Sequence, residues 1–168
     1  MNVFIPGIGE NESIYFNPQI YKSNDGPDEL IITGQIESEI EQSVYISLTL
    51  IRKQGIKIPT YLHIHFPHYE YDKTGISASL GIFFQLFTSI TNKRLKKKYI
   101  MTGEIDIEGN IYGIGQIKEK IDVFKQNDFD YMIIPYENKN FAEKNIIAVQ
   151  NIYELNEIIK LLENKNEV

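Results

Sequence analysis

A mixed α/β fold is what this chain predicts, on three observations. Short β-rich runs alternate with stretches of helical periodicity along its length. Its 168 residues suit a single core, and a hydrophobic content of 42% with 12% aromatic residues is enough to fill one. One domain over residues 1–168 is therefore expected, with the polar end from Glu163 to Val168 fraying as a flexible tail.

The elements follow in order. Residues 13–21 and 29–35 read as two strands, joined by the turn formers from Ser23 to Asp28. From Glu37 to Lys53, Ile40, Val44, Ile46, Leu48, Leu50 and Ile51 recur at mostly helical spacing, with Gly55 just beyond as a stop. Tyr61 to Phe66 is a strand ended by Pro67, after which the chain to Gly75 is polar and turn-like. Residues 77–91 are apolar on most sides, as in a buried helix, and Ser77 opens it. Strands at 98–104 and 105–113 flank a turn at Glu108-Gly109-Asn110, and a helix over 117–127 puts Lys118 in its first turn. A strand at 131–134, a linker with a turn of helix, a strand at 146–149 and a helix at 152–163 complete the order.

Charge narrows the function classes. A net charge of −6 and a pI near 5.1 disfavour nucleic acid and anionic membranes as partners, since both need clustered cations. The single basic cluster, Lys93-Arg94-Leu95-Lys96-Lys97-Lys98, reads as a solvated turn suited to a helix C-terminus, or more sharply as a docking patch for an acidic partner. Without cysteine there is no disulfide, thiol nucleophile or thiolate metal site. The N-terminus lacks a secretory pattern and no run reaches the length of a membrane span, so a cytoplasmic protein is expected.

Nucleophilic chemistry without cysteine falls to Ser or Thr paired with His, Lys or a carboxylate. Gly75-Ile76-Ser77-Ala78-Ser79 sets a serine among small residues at a loop-to-helix junction, where free backbone N–H groups favour an oxyanion, although a simple helix cap has the same local appearance. Ser79 is a rival nucleophile. Ile114-Gly115-Gln116-Ile117-Lys118-Glu119-Lys120 lacks the Gly-Lys-Ser/Thr of a phosphate loop and the third glycine of a dinucleotide fingerprint, which excludes ATP binding through it. Lys118 taken locally reads as an exposed helical lysine. His63 and His65 face one side of a strand and His68 follows, but a zinc site needs further ligands, so no metal or cofactor is assigned. Glu70 and Asp72 belong to the same polar loop.

Taken together these segments resemble the proteolytic domain of Lon proteases, peptidase family S16. The resemblance starts at Ile32-Thr33-Gly34-Gln35-Ile36 and runs through His63-Ile64-His65-Phe66-Pro67. Lys73-Thr74-Gly75-Ile76-Ser77-Ala78 lies where the family has K-D-G-P-S-A-G, Met101-Thr102-Gly103-Glu104-Ile105 matches M-T-G-E-I, and the segment from Ile114 to Lys120 is similar to I-G-G-L-K-E-K. Ile133-Ile134-Pro135-Tyr136-Glu137-Asn138 resembles L-I-P-x-E-N, so the likeness spans about 29–162.

The resemblance implies the Lon proteolytic-domain fold, ribosomal protein S5 domain 2-like, with mixed sheets and packed helices. It implies a serine peptidase with a Ser-Lys dyad: Ser77 as nucleophile, Lys118 as general base, Thr102 as a hydroxyl orienting the lysine and His65 as a supporting neighbour. The lysine would have to lose its proton near neutral pH through burial, with Ile114, Ile117 and Ile121 as the desolvating neighbours. Peptides or unfolded segments are the implied substrates, cleaved without ATP by this chain itself. The resemblance also leaves room for a separate ATPase partner and a homo-oligomer such as a hexameric ring. Thr74, Ile76, Ser79 and Gln116 depart from the family pattern beside the reactive residues, and a non-catalytic Lon-fold module used for assembly or binding is the alternative expectation.

Overall fold

The computed structural model describes residues 2–8, 13–67 and 75–165. In chain order the elements are β1 (Val3–Ile8), β2 (Ser13–Phe16), β3 (Gln19–Ser23), β4 (Glu29–Thr33), α1 (Ser38–Lys53) and β5 (Tyr61–His65). A 3-10 turn over Ile76–Ala78 then runs directly into α2 (Ser79–Ile90). β6 (Tyr99–Met101), β7 (Glu104–Ile105), β8 (Ile111–Tyr112) and α3 (Ile117–Gln126) follow. β9 (Tyr131–Pro135), a 3-10 segment over Tyr136–Phe141, β10 (Ile146–Val149) and α4 (Ile152–Glu163) complete the chain.

The expected mixed architecture is observed. A five-stranded sheet runs β10-β9-β6-β1-β2, parallel except for the antiparallel β1–β2 pair. A three-stranded sheet runs β3-β5-β4, with β3 antiparallel and β4 parallel to β5, and β7–β8 form a small hairpin.

Three differences from the expected elements have physical causes. The strand predicted over 13–21 is two strands in different sheets, because Asn17-Pro18 interrupts the ladder where proline has no N–H to donate. The two long strands expected over 98–113 are three short ones, broken at Thr102-Gly103 and at the 106–110 turn. β1 was not expected at all, since Pro6 and Gly7 weaken its strand signal. The structure accommodates Pro6 because β1 pairs with β6 only through Val3 and Phe4, so Pro6 lies past that ladder.

The core has two parts. In α1 the buried positions Ile40, Val44, Leu48 and Ile51 recur at helical spacing and pack against α2. Ser43 and Ser47 are buried on the same face, and each hydroxyl donates to the carbonyl four residues back, at 2.8 and 2.7 Å. α2 is buried almost all round, as its sequence requires. A separate cluster of Ile100, Ile117, Ile121, Val123, Met132, Ile134 and Ile146 fills the space between α3 and the larger sheet. Glu163 belongs to this framework and not to a frayed tail: its carboxylate accepts from the Lys96 and Lys97 amides and from the Tyr99 hydroxyl. Residues 166–168 lie outside the described residues. No helix among the described residues is long and apolar enough to cross a membrane.

Gly81 shows how closely β1 and α2 are packed. A Cβ at this position would lie 2.4 Å from Ile5 Cγ1 and 3.4 Å from the Met101 carbonyl oxygen. Gly81→Ala is expected to destabilise the fold by about 1–3 kcal/mol, despite the better helix propensity of alanine. A fall in the urea midpoint at unchanged m-value is the result to look for.

Candidate functional site

The site is assembled from the start of the Ile76–Ala78 turn, the 102–105 segment and the first turn of α3. Gly75 enters the turn at φ +93°, a conformation that L side chains rarely adopt, and this lets the chain bend sharply into Ser77. Ser77 is then pinned from behind. Its carbonyl oxygen accepts from the Gly103 amide at 2.9 Å, and the Thr102 hydroxyl reaches the same oxygen at 3.5 Å. Leu80 N–H returns a bond to the Gly103 carbonyl at 3.0 Å.

Ser79 completes this stitching. It is fully buried, its hydroxyl donates to the Gly103 carbonyl at 3.2 Å, and its oxygen accepts from the Ile105 amide at 2.9 Å. A hydroxyl committed in both directions and shut off from solvent is no rival nucleophile. The departure from a glycine at this position therefore adds a link between α2 and β7.

The lysine that meets Ser77 is not the expected one. Lys120 Nζ lies 3.1 Å from Ser77 Oγ, across 43 residues of chain, and Lys120 is only 5% exposed. Lys118 is exposed. The cause is helical geometry: two residues along α3 turn the side chain by about 200°, so Lys118 and Lys120 point to nearly opposite sides. The inward side of α3 carries Ile117 and Ile121, and Lys120 shares it because it falls three residues after Ile117. Lys118 thus occupies a solvent-facing position. The signal that locates Lys120 is this apolar stripe, which the motif likeness alone did not reveal.

Burial lowers the Lys120 ammonium from the ordinary lysine value to about 8, while the neighbouring Glu119 carboxylate pulls weakly the other way. The expected neighbours supply the apolar setting: Ile117 and Ile121 are buried, and Ile114 packs against the same cluster. Gln116, which stands where the family motif has glycine, is left-handed at φ 54°, ψ 34° and occupies the N-cap position of α3. Glycine takes this conformation freely, whereas for another residue it costs about 1–2 kcal/mol. The altered residue therefore keeps the backbone path that delivers Lys120.

Thr102 and His65 stand differently from expectation. Thr102 is fully buried, but its hydroxyl contacts the Ser77 carbonyl and makes no hydrogen bond to a lysine among the described residues. His65 Nδ1 and His63 Nε2 share the Thr33 hydroxyl, at 2.7 and 2.9 Å. One hydroxyl has one proton, so at least one imidazole must donate to it. Neither histidine bonds to Ser77 or Lys120. Lys73, Thr74, His68, Glu70 and Asp72 lie outside the described residues. Ile76 is half-buried in the turn.

Comparison with known proteins gives a family match and several relatives. The model of the Lon protease (S16) C-terminal proteolytic domain matches residues 20–165. The Lon protease of Buchnera aphidicola subsp. Acyrthosiphon pisum is 34% identical over 148 residues, covering 82% of this chain and 19% of that protein. That of Aster yellows witches'-broom phytoplasma is 35% identical over 144 residues, 76% of this chain and 18% of that protein. That of Escherichia coli K12 is 30% identical over 148 residues, with 82% and 19% covered. The chain spans about a fifth of the length of the curated relatives it matches.

Two stability effects follow from this site. Ser79→Ala leaves the buried Ile105 amide without its acceptor and is expected to cost about 1–3 kcal/mol, measured by chemical denaturation. Lys120→Met has the opposite sign. The depressed folded-state pKa means that burial of the ammonium opposes folding below about pH 8, and that this penalty fades as pH rises toward the unfolded lysine value. Lys120→Met is therefore expected to stabilise the protein by about 1–3 kcal/mol near neutral pH, with an advantage that shrinks in denaturation series taken from pH 8 to pH 10.

Proposed function

Because the chain belongs to the Lon protease (S16) C-terminal proteolytic domain family, we propose that it is a serine endopeptidase in which Ser77 is the nucleophile and Lys120 the general base. The observation that carries this reading is the 3.1 Å approach of a buried lysine to an otherwise ordinary serine hydroxyl. A lysine placed there only for stability would be a poor choice, since no carboxylate among the described residues forms an ion pair with it. A lysine placed there to take a proton needs the depressed pKa that burial gives it.

The chemistry follows from the geometry. In the ammonium form Lys120 Nζ donates to Ser77 Oγ; once deprotonated, its lone pair accepts the serine proton as Oγ attacks a peptide carbonyl. The tetrahedral intermediate carries a negative oxygen. The amides that open the Ile76–Ala78 turn, where helical N–H groups have no intrahelical partner, are the donors suited to it. Lys120 then returns the proton to the leaving amine, and water attacks the acyl-serine with the same lysine as base. Ser79, Thr102 and Gly103 hold Ser77 in place through the backbone, and none of them exchanges protons with the substrate.

Peptides and unfolded protein segments are the proposed substrates. Cleavage of these needs no nucleotide, and a separate ATPase or a ring of copies would bear on folded substrates.

Purified protein assayed on casein and fluorogenic peptides without ATP tests the reading. Ser77→Ala is expected to fall to background and Lys120→Ala to lose about 10²–10⁴-fold, while Lys118→Ala stays at the wild-type rate. Since the neutral amine is the working form, kcat/KM should rise with pH through a midpoint of about 8. Loss of activity in Lys118→Ala with retention in Lys120→Ala would sink the assignment of the base. No cleavage by the wild type at any pH would favour a non-catalytic module.

A further inference from the structure

At the far end of α2 from Ser77 lies a cavity of about 690 Å³, lined among others by Gln85, Ser89, Asn92, Lys93 and Arg94. It is of small-molecule size. Among the described residues its lining contains two cations, several neutral polar groups and no carboxylate, on a chain whose net charge is −6. The basic cluster of the sequence opens into it, holding five of the 17 lysines and arginines.

The bland role for these cations is to cap the C-terminus of α2, but that role is already filled. Lys22 donates from β3 to the Ser89 carbonyl. The Thr91 amide and hydroxyl both reach the Phe87 carbonyl, and the backbone amide of Lys93 reaches the Thr88 carbonyl at 2.8 Å. The side chains of Lys93 and Arg94 have neither a hydrogen bond nor an ion pair among the described residues, although Lys93 is half-buried. The Ser89 hydroxyl is likewise uncommitted. Lys22 also donates to Asn92 Oδ1 at 2.5 Å, which occupies the amide oxygen and leaves the Asn92 NH₂ as a donor. A second cavity of about 350 Å³ shares Asn92 and is lined by Lys22 and Lys57, again without a carboxylate among the described residues. Donors and positive charge thus converge on one place.

We propose that the cavity between the end of α2 and the Lys93-Arg94 turn is a binding site for a small polyanion bearing phosphoryl or carboxylate oxygens. Lys93 and Arg94 would supply charge-assisted bonds, and Ser89 and Asn92 would supply neutral donors that fix orientation. The site is separate from the Ser77–Lys120 pair and does not depend on peptidase activity.

Pyrophosphate and citrate, titrated separately at low ionic strength, are the probes, read by calorimetry and by amide shifts in ¹H–¹⁵N NMR spectra. The expected result is saturable binding of at least one, with shifts centred on residues 89–95. Lys93→Ala/Arg94→Ala is expected to weaken it by roughly tenfold or more, the equivalent of losing a charge-assisted hydrogen bond. Lys118→Ala/Lys144→Ala removes the same charge from exposed positions elsewhere and should bind like the wild type. Which probe binds tells phosphoryl from carboxylate. The proposal is overturned if neither anion shifts residues 89–95, or if the control pair loses binding equally. It is also overturned if an oligoglutamate peptide binds where both small anions fail, which would make the surface a docking patch for an acidic protein.

Discussion

Keeping one ammonium group out of water is the demand around which this structure is organised. Moving the Lys120 pKa to about 8 costs on the order of 3 kcal/mol at neutral pH, a sizeable share of the stability of a small protein. The apolar cluster between α3 and the larger sheet has to offset that cost, and it does so with seven fully or nearly buried side chains, three on the helix and four on the strands. The left-handed Gln116 stands at the N-cap of α3, and the period of the helix puts Lys120 on the same side as Ile117 and Ile121.

Ser77 depends on a different kind of support. Its neighbours are tied to the 103–105 segment by short backbone and hydroxyl bonds, so the serine and the strand behind it move as one unit. The lysine is held by packing and the serine by hydrogen bonds. These two means of support come from separate parts of the chain and meet only at the 3.1 Å contact. Ser79 and Gln116 depart from the family pattern on either side of that contact. One adds a hydrogen-bonded tie and the other tolerates a strained backbone, and neither disturbs the approach of amine to hydroxyl.

Much of the fold was legible in the sequence because its helices announce themselves by period: Ile40, Val44, Leu48 and Ile51 in α1, and the nearly continuous apolar run of α2. β1 was not, because Pro6 and Gly7 argue against a strand locally and only the pairing of Val3 and Phe4 with β6 makes one. In the site, Ser77 and the 101–105 segment were readable from the order of motifs. Which lysine lies beside Ser77 was not, because two lysines two residues apart look alike in a motif and differ only in which side of a helix they occupy. The period of α3 contained that answer in Ile117 and Ile121. The sharing of the Thr33 hydroxyl by two histidines and the double commitment of Ser79 depend on pairings between distant segments, which no local pattern encodes.

The placement of β1 also bears on the order in which the molecule comes together. Val3 pairs with Tyr99, and Ile5 rests on Gly81 beneath the helix that begins beside Ser77. During synthesis β1 can find β2 almost at once, but its other edge must wait until β6 has left the ribosome. Until then an apolar strand edge stays unpaired and α2 lacks its floor. The floor of α2, and with it the setting of Ser77, is thus complete only once β1 and the middle of the chain have come together.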